Sequence, residues 1–473
     1  MSNKYEPVSA TINRSSTFFL VAIGAIIGFS NIWKFPYLMS QNGGLLFFGV
    51  YVLCLFVIVW PMLCLELSLG RITRRNPIST AVLLASRSQV SPRWQIFVWF
   101  SLLAGFIVLA FYAVMGGMAL SYVIASVFGF FNGQTAEAVR DTLGILQHSP
   151  LELCAWHSLF MLFVVVIVSR GVRDGLGRAA RLLVPIMFFT LYVFVYREFL
   201  YGDLASSVEY LFRLEPEEFT WGSFFEAVNQ AFFTMTICVG VLLVLGTYMP
   251  LQMSVARTSA GLILADIVFA VAASVIVLPL VIVHPDLPQR GYGLVFETLP
   301  WVFGNMDYGQ FWGGSFFVLL SLTGWSSAIA LAEPLVVSLV ETLAVSRRVA
   351  AGILLGAVWL LATAIVYSLS VWQEFRFAGL SLFGLLDFLS SRFLIPTAAM
   401  LMVFFAGRRM KKELLESRME FRYPRAFQVF YFHLRWVAPG ALILVFLSGL
   451  QRVMAATCSS SEGVSMLLCS LFE

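Results

Sequence analysis

The chain has 473 residues, 60% of them hydrophobic and 12% charged, with a formal net charge of +4. Soluble domains carry about 25% charged residues, so a soluble chain of this size could not hide so much apolar surface behind so few charges. Its 45 Phe and 12 Trp exclude disorder as well, which leaves an all-α polytopic membrane protein with lipid as solvent for its outer face.

A transmembrane helix needs about 20 mostly apolar residues. Eleven stretches qualify, at 16–40, 45–69, 95–128, 153–169, 179–200, 222–248, 258–283, 311–340, 349–371, 379–406 and 434–456. They read as a single transmembrane domain over 1–473. Lys4 and Arg14 precede the first apolar run, as in a signal peptide. Asn31-Ile32-Trp33-Lys34-Phe35-Pro36 then follows in place of a small-residue cleavage site, so this run is read as a span. With the N-terminus cytoplasmic, 22 of the 30 basic residues fall in cytoplasmic segments and six in outer ones. That bias sets the orientation of a multi-pass protein of the cell membrane and places the C-terminus outside. Six scattered Cys lack any C-x-x-C spacing, and the four His lack H-E-x-x-H spacing. Cys458 and Cys469 either pair outside the cell or remain free thiols.

The first span carries Gly24, Gly28, Ser30 and Asn31 in its middle. Gly weakens a helix by about 1 kcal/mol relative to Ala, and Ser and Asn compete for the backbone. Gly also serves close helix packing in membranes, but packing accounts for neither Asn31 nor Pro36. A mid-membrane break is therefore expected here, tolerable only where it faces protein or water. Freed carbonyls bind hard cations, and the N-terminus of the outer half-helix suits a carboxylate. The sixth span repeats the pattern with Gln230, Thr234, Thr236 and Gly240. Interrupted spans one and six suggest two inverted five-helix repeats, about 16–200 and 222–406, with an extra span at 434–456. The eighth span adds Thr323, Ser326 and Ser327, which either complete an oxygen cage for Na⁺ or bond back to their own helix.

Charge in hydrocarbon costs about 2.5–3.5 kcal/mol per residue on insertion scales. Lys34, Glu66, Glu226, Asp266, Glu333, Asp387 and Arg392 nevertheless lie within or at the edges of spans. Any one of them could be a structural ion pair or a snorkelling end residue, the more so for Glu226 and Arg392 near span ends. Seven in one bundle point to a polar pathway. An intramembrane enzyme would need a nucleophile–base pair or a metal motif, and a channel would need a filter motif. The sequence carries neither, so the chain is read as not an enzyme.

Gly28 to Tyr37, then Gln41-Asn42-Gly43-Gly44, then Glu66-Leu67-Ser68-Leu69-Gly70-Arg71 resemble the signature of the neurotransmitter:sodium symporters, in their bacterial amino-acid transporter branch. The resemblance runs from about residue 9 to 406. It implies an inverted-repeat (5+5) fold with discontinuous helices 1 and 6, and a sodium-coupled symporter importing an amino acid by alternating access. A non-transporting amino-acid sensor on the same fold is the alternative. The expected partners are a small-molecule amino acid and the lipid bilayer, with no nucleic acid, and the expected state is a monomer or weak homodimer.

Residue by residue, the resemblance implies one Na⁺ site from Ile26, Asn31, Thr234 and Asp266. It implies a second from Gly24, Ile27, Thr323, Ser326 and Ser327. Gly28 stands where monoamine members carry Asp, which implies a substrate bringing its own carboxylate, an α-amino acid, with Tyr112 bonded to that group. Ile26, Ser30 and Ser327 would border the substrate, and Phe233 would cap it. Val108, Thr236, Val239 and Leu331 would line an apolar side-chain subsite, so a hydrophobic substrate is expected. Tyr51, Gln230 and Thr234 match the chloride neighbourhood of chloride-dependent members, but Asp266 would place a fixed negative charge there, so no chloride is expected. Lys34 with Asp387 would form the outer gate, with a point charge where the family has the fork of Arg. Glu341 stands at the inner gate, where Ser9 replaces the usual Arg and Arg14 lies near. Gly175 and Pro185 match the span-five motif that unwinds to release the inner Na⁺.

Overall fold

The first span is two helices, Ser15–Ile26 and Ser30–Gln41, bent by 58° at the break between them. Ile27 is extended, with φ −74° and ψ 111°, so the helix stops just before Gly28, where the side chains withdraw their helical preference. The computed structural model describes residues 12, 14–201, 204–282, 284, 286–289, 291–377, 380–419 and 424–446. Ser9, Cys458, Cys469 and the end of the last span lie outside the described residues.

Nine helices among the described residues are long and apolar enough to cross a bilayer, and the bent pair makes a tenth. The nine are Leu45–Thr73 (span 2), Pro92–Val127 (3), Pro150–Ser169 (4), Val172–Leu200 (5), Val255–Val281 (7), Gly309–Leu343 (8), Arg347–Leu369 (9), Leu382–Arg409 (10) and Arg425–Phe446 (11). Span 6 is interrupted too, as Trp221–Thr234 and Val241–Tyr248. Its first half begins on a capping box, Thr220 with Ser223. Two helices start earlier than hydropathy predicts. Span 5 begins at Val172 rather than 179, and span 11 at Arg425 rather than 434. In both, the first turns carry basic residues that depress hydropathy without breaking the helix.

Span 8 is the axis of the bundle. In its most apolar window 83% of the residues are buried, against 28% in span 11 at the rim. Span 2 and the second half of span 6 touch backbone to backbone. A Cβ on Gly70 would lie 1.9 Å from the Leu243 carbonyl, and one on Gly246 2.2 Å from that of Leu67. Small residues permit that approach where no hydrophobic force separates helix from lipid. Spans 1, 6 and 8 thus meet at mid-membrane, with both interruptions facing inward.

Candidate functional site

At the first break, Asn31 reaches back to accept the Gly28 N–H at 3.2 Å and donates to Thr234 Oγ1 at 3.2 Å and Asp266 Oδ1 at 2.7 Å. Thr234 Oγ1 donates to Asp266 Oδ1 at 3.0 Å, and the Tyr51 hydroxyl donates to Asp266 Oδ2 at 2.9 Å. All four side chains are buried. A carboxylate, an amide oxygen and a hydroxyl from spans 1, 6 and 7 therefore converge beside the Ile26 turn, the hard-oxygen set that Na⁺ prefers. Burying a carboxylate is costly unless its oxygens are bonded, and here both are.

The second oxygen cluster sits between spans 1 and 8. Ser327 Oγ donates to the Ile27 carbonyl at 2.7 Å and to that of Gly24 at 3.4 Å. Ser326 bonds back to the Thr323 carbonyl at 3.0 Å, while the Thr323 hydroxyl turns to Leu319 on its own helix at 2.8 Å. The three hydroxyls therefore divide between two kinds of bond. Ser327 crosses to the broken helix, and the Ser326 and Thr323 hydroxyls cap turns of their own.

Beside the second cluster lies a cavity of about 270 Å³. Ser30, Val108, Tyr112, Phe233, Thr236, Val239, Ser327 and Leu331 all line it. Ile26 and Gly28 do not. A Cβ on Gly28 would fall 2.4 Å from the Tyr112 hydroxyl, so Tyr112 holds this place only beside glycine. Trp33, Phe111, Met115, Phe232 and Phe383 also line the cavity, as does Phe29, whose ring stacks on Tyr112 at 4.7 Å between centroids. Sequence reasoning missed these. The signal for Phe29 was its place beside the broken turn, where a side chain leaves the helical face it would otherwise keep.

A model of the sodium:neurotransmitter symporter family matches residues 10–137 and 130–460. The chain belongs to this family. An uncharacterised sodium-dependent transporter of Bacillus subtilis, YhdH, is 29% identical over 437 residues, covering 91% of this chain and 95% of that protein. A human sodium- and chloride-dependent GABA transporter 2 is 22% identical over 381 residues, covering 70% of this chain and 61% of that protein. The crystal structure of MhsT in complex with L-phenylalanine superposes with a TM-score of 0.83 at 28% identity, over 93% of this chain and 99% of that one. The protein is thus a sodium-dependent membrane transporter with the inverted-repeat fold, not an enzyme.

In this symporter a second cavity, about 150 Å³, adjoins the first on the side expected to face outward. Phe233, Asp387 and Ser391 line both, so they form the partition. Lys34 reaches over the Phe233 ring, 5.7 Å from its centroid. Glu226 and Arg392 line the outer cavity beside Lys34. The turn at Phe388–Leu394 brings Arg392 round to the Asp387 side.

On the other side, Glu341 accepts from Asn76 Nδ2 and, at 3.2 Å, from Ser79 Oγ. Arg14 is exposed and makes no ion pair among the described residues, so it does not stand in for a partner of Glu341. A buried ion pair at this end joins Arg347 to Glu333, which also accepts the Tyr248 hydroxyl at 2.6 Å. Arg347 further donates to the Val168 carbonyl at 2.8 Å. Gly175 sits in the wide turn Val172–Leu176, and a Cβ there would lie 2.1 Å from the Ile167 carbonyl. Pro185 lies inside the following helix. A gap of about 20 Å³ separates that segment from Gly24 and Ser326.

Glu66, a candidate for the polar pathway, has a different task. Its carboxylate accepts the Cys238 N–H at 3.1 Å and so holds the unwound turn of span 6. Gln230, one turn from Thr234 on the same face, is buried with neither amide atom bonded among the described residues.

Proposed function

We propose that this transporter imports a hydrophobic α-amino acid together with Na⁺ by alternating access, without chloride. One observation carries the reading. The Asn31–Thr234–Asp266 oxygen cluster adjoins, through Gly28 and Tyr112, an apolar cavity of about 270 Å³. With no room for a side-chain carboxylate at position 28, the substrate supplies its own. That group lies between the Tyr112 hydroxyl and the N-terminus of the Ser30–Gln41 helix, where unsatisfied N–H groups favour an anion. Its charge sits beside the ion at Ile26, Asn31, Thr234 and Asp266, which couples the two bindings. A second Na⁺ is held by the Gly24, Ile27 and Thr323 carbonyls with Ser326 and Ser327. Val108, Val239 and Leu331 receive an apolar side chain, in keeping with the L-phenylalanine bound to MhsT.

Asp266 replaces chloride. Its Oδ2 takes the Tyr51 hydroxyl, and a fixed negative charge there repels a second anion. Lys34, Asp387 and Phe233 close the outer side, and the basic end of the bundle faces the cytoplasm, with the N-terminus inside and the C-terminus outside. On the inner side Glu341 and the Gly175–Pro185 segment are the moving parts.

Reconstitution in liposomes with a radiolabelled amino-acid panel tests the whole reading. Uptake of apolar amino acids should require an inward Na⁺ gradient and persist when gluconate replaces chloride. Uptake indifferent to Na⁺ would overturn symport, and uptake lost with chloride would overturn the role given to Asp266.

A further inference from the structure

Spans 10 and 11 cross at Gly407, where a Cβ would lie 3.3 Å from Arg435 Cα, and the Tyr431 hydroxyl donates to the Gly407 carbonyl at 3.0 Å. Among the described residues around this crossing the cations rest on aromatic rings and not on acids. The Arg408 guanidinium lies between Phe404, at 5.3 Å, and Trp436, at 5.0 Å. Arg435 lies on the same Trp436 ring, at 5.8 Å, and Arg409 on Phe404, at 5.8 Å. Lys412 lies 5.5 Å from the Phe427 ring and 5.3 Å from that of Tyr431.

Three other basic side chains at this end of the bundle are answered by acids or carbonyls. Arg347 pairs with Glu333, Arg178 with Asp174, and Arg71 donates to the carbonyls of Met253 and Leu251. Arg408, Arg409, Lys412 and Arg435 make no ion pair and no side-chain hydrogen bond among the described residues, and neither Glu413 nor Glu416 pairs with any of them.

A guanidinium stacked on a ring spends its faces and keeps its edge donors free. Two such groups on one indole repel each other until an anion lies between them. A phosphodiester fits that demand, since guanidinium forks bind phosphate oxygens in pairs. What lies beside the pair is apolar. From Arg435 onward, Trp436, Val437, Ile443 and Leu444 are exposed at helical spacing along span 11. This stripe runs from the cations into the bilayer and suits acyl chains.

We propose that the crossing of spans 10 and 11 binds one anionic phospholipid, its phosphate between Arg408 and Arg435 and its chains along the exposed stripe of span 11. The proposal rests on the chain being a membrane transporter and is independent of its substrate and of chloride.

Native mass spectrometry of the full-length protein, titrated with phosphatidylglycerol, tests it. The double variant Arg408→Gln/Arg435→Gln is expected to bind the first lipid about thirtyfold more weakly, roughly a factor of five per basic side chain. Arg87→Gln/Arg93→Gln removes equal charge from exposed positions at the same end and is expected to leave that affinity unchanged. Trp436→Leu keeps every cation, alters a lipid-facing residue only, and is expected to weaken binding too. Equal losses in both double variants would mean diffuse surface charge, and full affinity in Trp436→Leu would mean that the ring holds nothing; either overturns the proposal. Displacement of the lipid by inorganic phosphate would mark a free-anion site and overturn it as well. Sodium-driven uptake, followed separately, reports on the transport reading, so failure of one is distinct from failure of the other.

Discussion

The two interrupted helices reach the same end by different means. In span 1 the break is short, over 27–29, and its sequence asks for it, with Gly28 at the turn and Ser30 and Asn31 opening the next helix. In span 6 the break runs over 235–240 and places Thr236 at φ +52°, Cys238 at φ +58° and Gly240 at φ +84°. Only the last suits its position. A β-branched Thr in the left-handed region costs of order 1–3 kcal/mol and persists only where its surroundings insist. Those surroundings are the Thr236 hydroxyl donating to the Ala25 carbonyl at 3.0 Å and the Glu66 carboxylate on the Cys238 N–H. The first break is thus made by its own residues and the second is held by its neighbours. Changes at the first should remove function from a folded protein, and changes around the second should remove stability first.

The largest expected effect is at Asn31. Asn31→Ala deletes three hydrogen bonds, one to a carboxylate, and bonds to charged groups are worth about 1.5–3 kcal/mol each. Sodium-dependent binding of radiolabelled substrate should fall about a hundredfold or more in protein that still folds, its melting temperature lowered by the same lost bonds. Retained binding would remove Asn31 from the ion site.

Gly28→Ala comes next. The new Cβ pushes the Tyr112 hydroxyl, the far end of its side chain, from its place in the cavity wall. Overpacking of this kind costs about 1–3 kcal/mol, so uptake should drop about tenfold while the fold stands. Uptake at the wild-type rate would mean that the close contact at position 28 does not shape the site.

The smallest effects on binding, and the clearest on stability, belong to span 6. Glu66→Ala leaves the Cys238 N–H buried without a partner, at about 1–3 kcal/mol. Glu66→Gln keeps an acceptor oxygen and should cost less. Thr236→Val removes one hydrogen bond of about 1 kcal/mol. Thermal unfolding in detergent should rank them in that order. If Glu66→Ala melted like wild type while losing substrate binding, Glu66 would belong to the pathway and not to the scaffold.

Much of the Asn31–Thr234–Asp266 cluster was legible because its chemistry is unusual for its setting. An Asn at a mid-membrane break and an Asp in hydrocarbon are too costly to be incidental, and the structure brings Asn31, Thr234 and Asp266 within hydrogen-bond reach. What was illegible depended on reach across the bundle. Arg347 counts as one more basic loop residue until it folds back onto Glu333. Arg392 is a span-end charge until a widened turn swings it to the outer cavity. Phe29 is one apolar residue among many until the broken turn points its ring at Tyr112.

By itself the sequence determined that the chain crosses a membrane many times, which end is basic, and where the first helix must break. It could not say which spans meet lipid. Spans 8 and 11 have the same mean hydropathy, yet one is the buried axis and the other the rim. In water, burial and apolarity go together because exposed apolar surface is penalised. In a bilayer the solvent is itself apolar, so both faces of a span read alike, and only the packing of one helix against its neighbours decides which face becomes the transport pathway.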